Sequence, residues 1–245
     1  MYWNDYIWFM GAALVCMLLS AFASKRVRTV FEKHDQRRCR SGATGFDTAA
    51  RLLQANQIGG ISVGCVKGEL TDHYHPTKGI VNLSERTYSS NSVAAVAVAA
   101  HEIGHVTQKY DGYLLYRLRT ALVPVVNFGS RLSLPLVLVG LLLDVYSAAA
   151  QPEIGFQVAM VGVLLYGGSL VFALCTLPVE LNASARARKM LLDEGIISEE
   201  ELPAAKEVLS AAAMTYFVSL FTSLVYFLRF LLYVLTLFGR RNSRR

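Results

Sequence analysis

Four apolar runs, each long enough to cross a lipid bilayer, limit what this chain can fold into. They cover residues 6–24, 121–143, 154–177 and 211–238. A helix rises about 1.5 Å per residue, so about 20 apolar residues span the hydrocarbon core. Apolar residues make up 53% of the chain, which is high for a water-soluble protein. The sequence therefore predicts a mainly α-helical integral membrane protein with about four membrane segments.

The charges that flank the first run predict its orientation. Residues 1–24 form the predicted N-terminal membrane anchor, and Lys25, Arg26 and Arg28 follow it directly. Basic residues favour the cytoplasmic side of a membrane, so the chain from residue 25 onward is expected in the cytoplasm. In a membrane protein such clusters also contact lipid headgroups, and no nucleic-acid partner is expected.

The basic tail at residues 240–245 leaves the far end of the topology open. Basic residues favour the cytoplasm, but four single crossings from an outside N-terminus would end outside. Either the last segment, residues 211–245, contains a bent or re-entrant hairpin, or the tail breaks the rule. The second and third runs form a predicted two-helix membrane hairpin, residues 121–177, which returns the chain to the side it left.

The polar part before this hairpin, residues 25–120, is predicted to combine helices with a small β-sheet. Residues 27–40 are expected as a separate helix near the membrane surface or as a linker. Three short strands are predicted at 61–66, 70–75 and 79–84, because turns rich in glycine and proline separate them. An exposed edge of this sheet could pair with an extended peptide, or the strands could only stabilise the fold.

The pattern H-E-x-x-H at residues 101–105 carries the strongest chemical signal. His101 and His105 are four residues apart, so on a helix they share one face and can hold one Zn²⁺ ion. Glu102 can reach a zinc-activated water as a general base. The motif follows an apolar run, and serines that can cap the start of a helix precede that run. The two histidines and the glutamate would therefore be partly buried, which is costly unless they have a partner such as a metal ion. The sequence therefore predicts a zinc site in the middle of a helix.

A catalytic zinc site needs a third protein ligand, and several carboxylates are candidates. A histidine six residues after His105 is absent; Asp111 stands there, close to the helix end. Most later carboxylates fall in a mixed-charge stretch typical of a solvated face. Glu180 instead follows a membrane segment in an apolar sequence, and Ser184, one turn on, could hydrogen-bond a ligand. The pattern favours Glu180, although an acid in the first turn of a helix is the structural alternative.

These motifs resemble the Glu-zincin membrane proteases of the HtpX and CAAX-protease type, and more closely the YugP-like family of neutral zinc metallopeptidases. The similar stretches are residues 70–76, 97–108 and 180–187, and the resemblance extends from the N-terminal anchor to the last apolar run. It implies that His101, His105 and Glu180 bind zinc and that Glu102 is the base. It also implies a zincin-like catalytic part within residues 25–120 and a third-ligand helix within residues 178–210.

The predicted function is that of a zinc metalloendopeptidase that hydrolyses peptide bonds with an activated water. A second donor to the oxyanion is expected, and His73 in the strand hairpin and Arg186 on the Glu180 helix lead the candidates, with surface roles as the alternative for each. We expect a multi-pass protein of the plasma membrane with its catalytic part in the cytoplasm. Its expected partners are the lipid bilayer and peptide or membrane-protein substrates, and a regulatory membrane partner is left open.

Two other functions remain as alternatives. A site-2-type intramembrane protease would take its third ligand from an aspartate in a later membrane segment, and Leu143-Asp144 is the nearest sequence to that pattern. A catalytically silent membrane scaffold or partner-binding subunit would keep zinc for stability alone. The presence of Glu102 argues against the scaffold, since structure alone does not require that base.

One charged residue, Arg131, lies inside the second apolar run. A charge in lipid is costly, so its side chain must face protein, water or headgroups. We expect it to have a structural role with a counter-ion, and a functional role is the alternative.

Overall fold

The computed structural model describes residues 2–146 and 152–242, which form helices and one small sheet. The elements in chain order are α1 (Tyr2–Asp35), α2 (Gly45–Ala55), β1 (Ser62–Val66), β2 (His73–His75), β3 (Ile80–Ser84), α3 (Glu85–Ser89), α4 (Val93–Tyr110), α5 (Leu114–Tyr146), α6 (Pro152–Asp193) and α7 (Leu202–Asn242).

Four of these helices are long and apolar enough to cross a membrane. The candidate spans are Met10–Asp35, Leu114–Leu143, Ile154–Asp193 and Leu202–Thr236. The sheet has the order β1-β3-β2, with β1 parallel and β2 antiparallel to β3. The prediction of a mainly α-helical chain with about four helices that could span a membrane and a small sheet is therefore confirmed.

The long helices continue where the sequence analysis expected breaks. α1 runs on to Asp35, so residues 27–35 of the segment expected at 27–40 as a separate helix or linker form its last part. α7 is one helix from Leu202 to Asn242, which corrects the suggestion of a hairpin in the last run. Neither residues 25–35 nor 211–238 contain glycine or proline, so nothing in these segments interrupts the helical hydrogen bonds.

The chain divides into two compact units, each with parts of the long helices. The first unit comprises Met1–Leu19, Leu118–Thr176 and Phe217–Arg245. Within it, α5 and α6 approach closely at Gly162, where an added Cβ would lie 2.6 Å from the backbone oxygen of Ser133. Small residues allow such approaches between membrane helices, as the glycine-rich third run suggests.

The second unit, Ser20–Arg117 with Leu177–Tyr216, holds the sheet and α4. Ser92 caps α4: its Oγ accepts from the N–H of Ala95 at 3.1 Å and donates to Oδ1 of Asp35 at 2.6 Å. Asp35 also accepts from the hydroxyl of Ser90 and from Nε of Arg86. The end of α1 thereby fixes the start of α4, whose apolar first half is almost wholly buried. This packing sets the position of the histidines that follow.

Candidate metal centre

The fold brings together three of the residues that the sequence singles out for metal binding. His101 and His105 on α4 face Glu180 on α6, with Nε2–Oε2 distances of 3.2 Å and 3.4 Å. One ligand atom from each residue lies within 4.8 Å of the other two. The Glu180 side chain is only 1% exposed, while that of His101 is 13% exposed, so the carboxylate is shielded from solvent and the cluster is accessible from the side of His101. Two imidazoles and a carboxylate at this spacing can converge on one small cation.

Gly104 permits this convergence, because it lies where α4 and α6 approach most closely around the ligands. An added Cβ would stand 2.6 Å from the carbonyl oxygen of Ala183 and 3.2 Å from its Cα. Backbone atoms cannot rotate out of the way as a flexible side chain would. A residue larger than glycine would therefore push the two histidines away from Glu180.

Replacing Gly104 by alanine is expected to destabilise the protein by about 1–3 kcal/mol and to weaken metal binding, because overpacking moves whole helices. Thermal unfolding of the metal-free protein and zinc affinity would be measured on the same sample. Gly112, where an added Cβ would meet nothing within 4 Å but φ is +66°, serves as the control. Gly112→Ala should cost stability through backbone strain and leave zinc affinity unchanged. Equal zinc affinity in Gly104→Ala and the wild type would contradict this account.

The other ring nitrogen of each histidine, Nδ1, also has a hydrogen-bond partner. Nδ1 of His101 lies 3.2 Å from the hydroxyl of Ser184, as the sequence analysis suggested for that serine. Nδ1 of His105 lies 3.0 Å from Oε1 of Gln108. Both contacts leave the Nε2 atoms directed toward Glu180. Such outer hydrogen bonds fix the ring orientation and tautomer of metal-binding histidines.

Gln108 was not among the residues predicted from the sequence, and its orientation supports a cation at this cluster. Its Nε2 donates to the backbone oxygen of Val179 at 2.8 Å and to Oδ1 of Asn182 at 2.9 Å. Its Oε1 is therefore the atom that faces His105, and Nδ1 of that ring carries the proton. A neutral ring then directs the lone pair of Nε2 at the Glu180 carboxylate. In this neutral form Nε2 of His105 and Oε2 of Glu180, 3.4 Å apart, both offer a lone pair, and a cation can be bound by both atoms.

Replacing Gln108 by leucine is expected to lower zinc affinity by about 10- to 100-fold, the range typical of lost outer-sphere partners. The ring of His105 would lose the acceptor that fixes its tautomer. Competition with a fluorescent zinc chelator gives the affinity. Thr107→Val removes a hydroxyl that donates to Gly104 and accepts from Arg186 but contacts none of the three ligands, and it is the matched control. A Gln108→Leu protein with unchanged zinc affinity would show that this contact is only a packing feature.

Glu102 is buried beside the ligands and close to the sheet. Burial raises the pKa of its carboxyl to about 7, against the opposing effect of the neighbouring His101. The backbone N–H of Tyr74 in β2 faces the Glu102 carboxylate and lowers its pKa slightly, against the larger effect of burial. A carboxyl group with a pKa near neutrality can both accept and release a proton, which suits a general base.

The structure gives His73 and Arg186 other partners than the three ligands. His73 is exposed on β2, with Nδ1 2.8 Å from the Thr71 oxygen and Nε2 3.1 Å from Nδ2 of Asn82. Arg186 pairs with Asp111 and donates from Nε to Oδ1 of Asn182 at 2.9 Å. Arg186 thus joins the hydrogen-bond network behind the metal centre through the residue that also holds Gln108. Their expected role as oxyanion donors stays a prediction.

Comparisons with known proteins agree with this site. The model of a family described as "Putative neutral zinc metallopeptidase" matches residues 9–235 of the chain. The chain is also 38% identical over 224 residues to a Bacillus subtilis (strain 168) protein named "Putative membrane protease YugP", a match that covers 91% of this chain and 95% of that protein. No solved structure matches the chain.

Proposed function

We propose, from the premise that this chain belongs to the neutral zinc metallopeptidase family, that it is a membrane-embedded zinc endopeptidase. The observation that carries the proposal is the convergence of His101, His105 and Glu180 with Glu102 buried beside them. Two histidines and a glutamate leave the fourth position of a tetrahedral zinc ion open, as catalytic sites require.

In this function His101, His105 and Glu180 hold the ion, and the remaining steps fall to other residues. Bound zinc supplies Lewis acidity, which makes water more acidic and polarises the scissile carbonyl. Glu102 accepts a proton from the attacking water and delivers it to the departing amine. Gln108 and Ser184 keep the two imidazoles directed at the ion.

Arg186 and His73 remain our proposed donors to the oxyanion. Arg186 is supported by its place on the helix of Glu180 and by its link through Asn182 to Gln108. His73 is supported by its place on β2, next to the residue whose N–H contacts Glu102. Each would have to exchange a present hydrogen bond for one to the substrate.

The proposed substrates are membrane proteins or their cytoplasmic tails. β2 lies at an edge of the sheet, and its residue Tyr74 contacts Glu102, so an extended peptide paired with this edge would pass the base. The proposed topology is a multi-pass plasma-membrane protein with this unit in the cytoplasm. Lys25, Arg26 and Arg28, which follow the first apolar run, support that orientation.

Removal of the metal tests the proposal. Protein purified in detergent is expected to contain about one zinc per chain and to cleave an unstructured protein such as casein. A strong zinc chelator should stop cleavage, and added zinc should restore it. Protein without zinc would overturn the metal site itself. Protein with zinc but no cleavage of casein or of membrane-protein substrates would favour the silent scaffold.

A further inference from the structure

Arg131 lies deep within the candidate span Leu114–Leu143 of α5. It is separated by 12 residues from Arg119 and by 13 from Asp144, the nearest charged residues along the helix. At about 1.5 Å per residue these lie about 18 Å and 20 Å away. An arginine side chain cannot cover either distance, so Arg131 cannot reach the headgroups by extending along the helix.

The guanidinium of Arg131 is exposed and has no partner in the part of the chain that the structure describes. No residue whose side chain the structure describes forms a hydrogen bond, ion pair or ring contact with it, and the counter-ion expected from the sequence is not found among those residues. Arg229, the other arginine within the four apolar runs of the sequence, differs, because its guanidinium lies 6.0 Å from the ring centroid of Tyr233.

Arg131 belongs to a continuous exposed face of α5, here called the Arg131 face. The spacing of the residues places them on one side of the helix: Asn127, Ser130, Arg131, Leu134 and Leu138. Leu134 and Leu138 are 58% and 52% exposed, so apolar surface lies next to the polar group. A face with a central cation and flanking leucines is suited to packing against another helix rather than against lipid alone.

We propose that the Arg131 face binds a transmembrane helix of another protein that carries an Asp or Glu near the middle of the membrane. A carboxylate matches the guanidinium in charge and can accept two of its hydrogen bonds at once, and both ions are thereby compensated in the low-dielectric interior. The inference rests on α5 crossing the bilayer, as proposed above, and is independent of the zinc site.

The sequence argues against a second copy of this chain as the occupant. The four apolar runs contain no Asp or Glu, so no copy can supply a carboxylate at that depth. A symmetric pair formed through this face would bring Arg131 against Arg131, and like charges repel. The carboxylate must therefore come from a different membrane protein.

Designed helices provide the test, with full-length protein in phosphatidylcholine nanodiscs. The probes are labelled leucine-alanine helices of about 23 residues with Asp, or Leu, at the central position. Energy transfer should show the Asp helix binding the wild type at least about tenfold more tightly than the Leu helix. Moving the Asp two turns toward one end should remove the preference.

Variants of the two membrane arginines show where the preference arises. Arg131→Leu should bind both helices equally, and Arg131→Lys, which keeps the charge, should retain part of the preference. Arg229→Leu removes the other arginine and should bind like the wild type.

Three results would overturn the proposal: equal binding of both helices by the wild type, a preference that survives in Arg131→Leu, or Arg131-dependent self-association of the chain. An effect of Arg131 seen only when anionic lipid is added would assign the residue to headgroups instead and would also overturn it. Zinc content and casein cleavage, measured on the same nanodiscs, test the zinc endopeptidase separately. Either proposal can thus fail while the other holds.

Discussion

Replacing Glu102 by glutamine is expected to lower kcat for peptide hydrolysis by about 10³-fold or more while zinc remains bound. The carboxamide has nearly the same shape as the carboxylate but cannot accept a proton from water, and general acid–base catalysis typically contributes about 10²- to 10⁴-fold. Glu102 is not among the three clustered ligand residues, so the ion should not depend on it. Casein cleavage and zinc per chain, measured on one preparation, check both parts.

A second buried glutamate in the same unit provides the control for this change. Glu201 is 5% exposed, and its carboxylate accepts from the N–H groups of Arg40 and Ser198. Glu201→Gln also removes one buried charge, so it should reduce stability without a selective loss of kcat. Full activity in Glu102→Gln would exclude Glu102 as the base. Loss of zinc from it would mean that Glu102 acts on the ion rather than on water.

The pairing of the two histidines could be predicted because it depends only on helical spacing. Residues four apart on a helix are neighbours, and the rings of His101 and His105 lie 4.8 Å apart between centroids. Glu180 stands 75 residues after His105, and a separation of that length in the sequence does not predict how far apart two side chains lie in the fold. Glu180 could be predicted as the third ligand only by excluding the carboxylates expected in solvent and from the resemblance to a family. The structure supplies the approach of α4 and α6 that brings it to the histidines.

The features missed from the sequence are those that depend on tertiary contacts. Gln108 stands three residues after His105, a helical spacing that could have indicated contact with that ring. Its fixed orientation, however, comes from Val179 and Asn182 on another helix. The ring nitrogens of His73 are engaged by local partners, which no strand pattern reveals.

The boundaries of the long helices show what a change in polarity can and cannot indicate. A boundary between a membrane segment and a polar segment was predicted at residue 25, because the side chains there change from apolar to basic. α1 nevertheless continues to Asp35, since backbone hydrogen bonding depends on helix-breaking residues and not on polarity. Polarity predicts which surroundings a part of a helix prefers, but it does not mark where the helix ends. Proline alone does not mark the end either, since α5 continues through Pro124 and Pro135 and α6 through Pro178.

Replacing Glu180 by glutamine is expected to weaken zinc binding by more than about 100-fold, beyond the range for loss of an outer hydrogen-bond partner. The change removes the only anionic ligand of the cluster, and hydrolysis should fall with the metal. The carboxamide can donate an N–H to the Nε2 lone pair of a histidine, so the metal-free variant should be at least as stable as the metal-free wild type. Zinc per chain and thermal unfolding with and without chelator measure both effects.

Two further variants distinguish the loss of the third ligand from the loss of an outer hydrogen bond and from a different third ligand. Ser184→Ala removes only the hydroxyl behind His101 and should reduce zinc affinity far less than Glu180→Gln. Asp144→Asn changes the carboxylate that a site-2-type protease would use, and it should leave zinc content at the wild-type value. Zinc retained in Glu180→Gln but lost in Asp144→Asn would replace the proposed ligand set with the intramembrane one. Zinc lost in Glu180→Gln but retained in Asp144→Asn would identify Glu180 as the third ligand. This is the outcome we expect, because the buried Glu180 carboxylate lies next to Nε2 of both histidines.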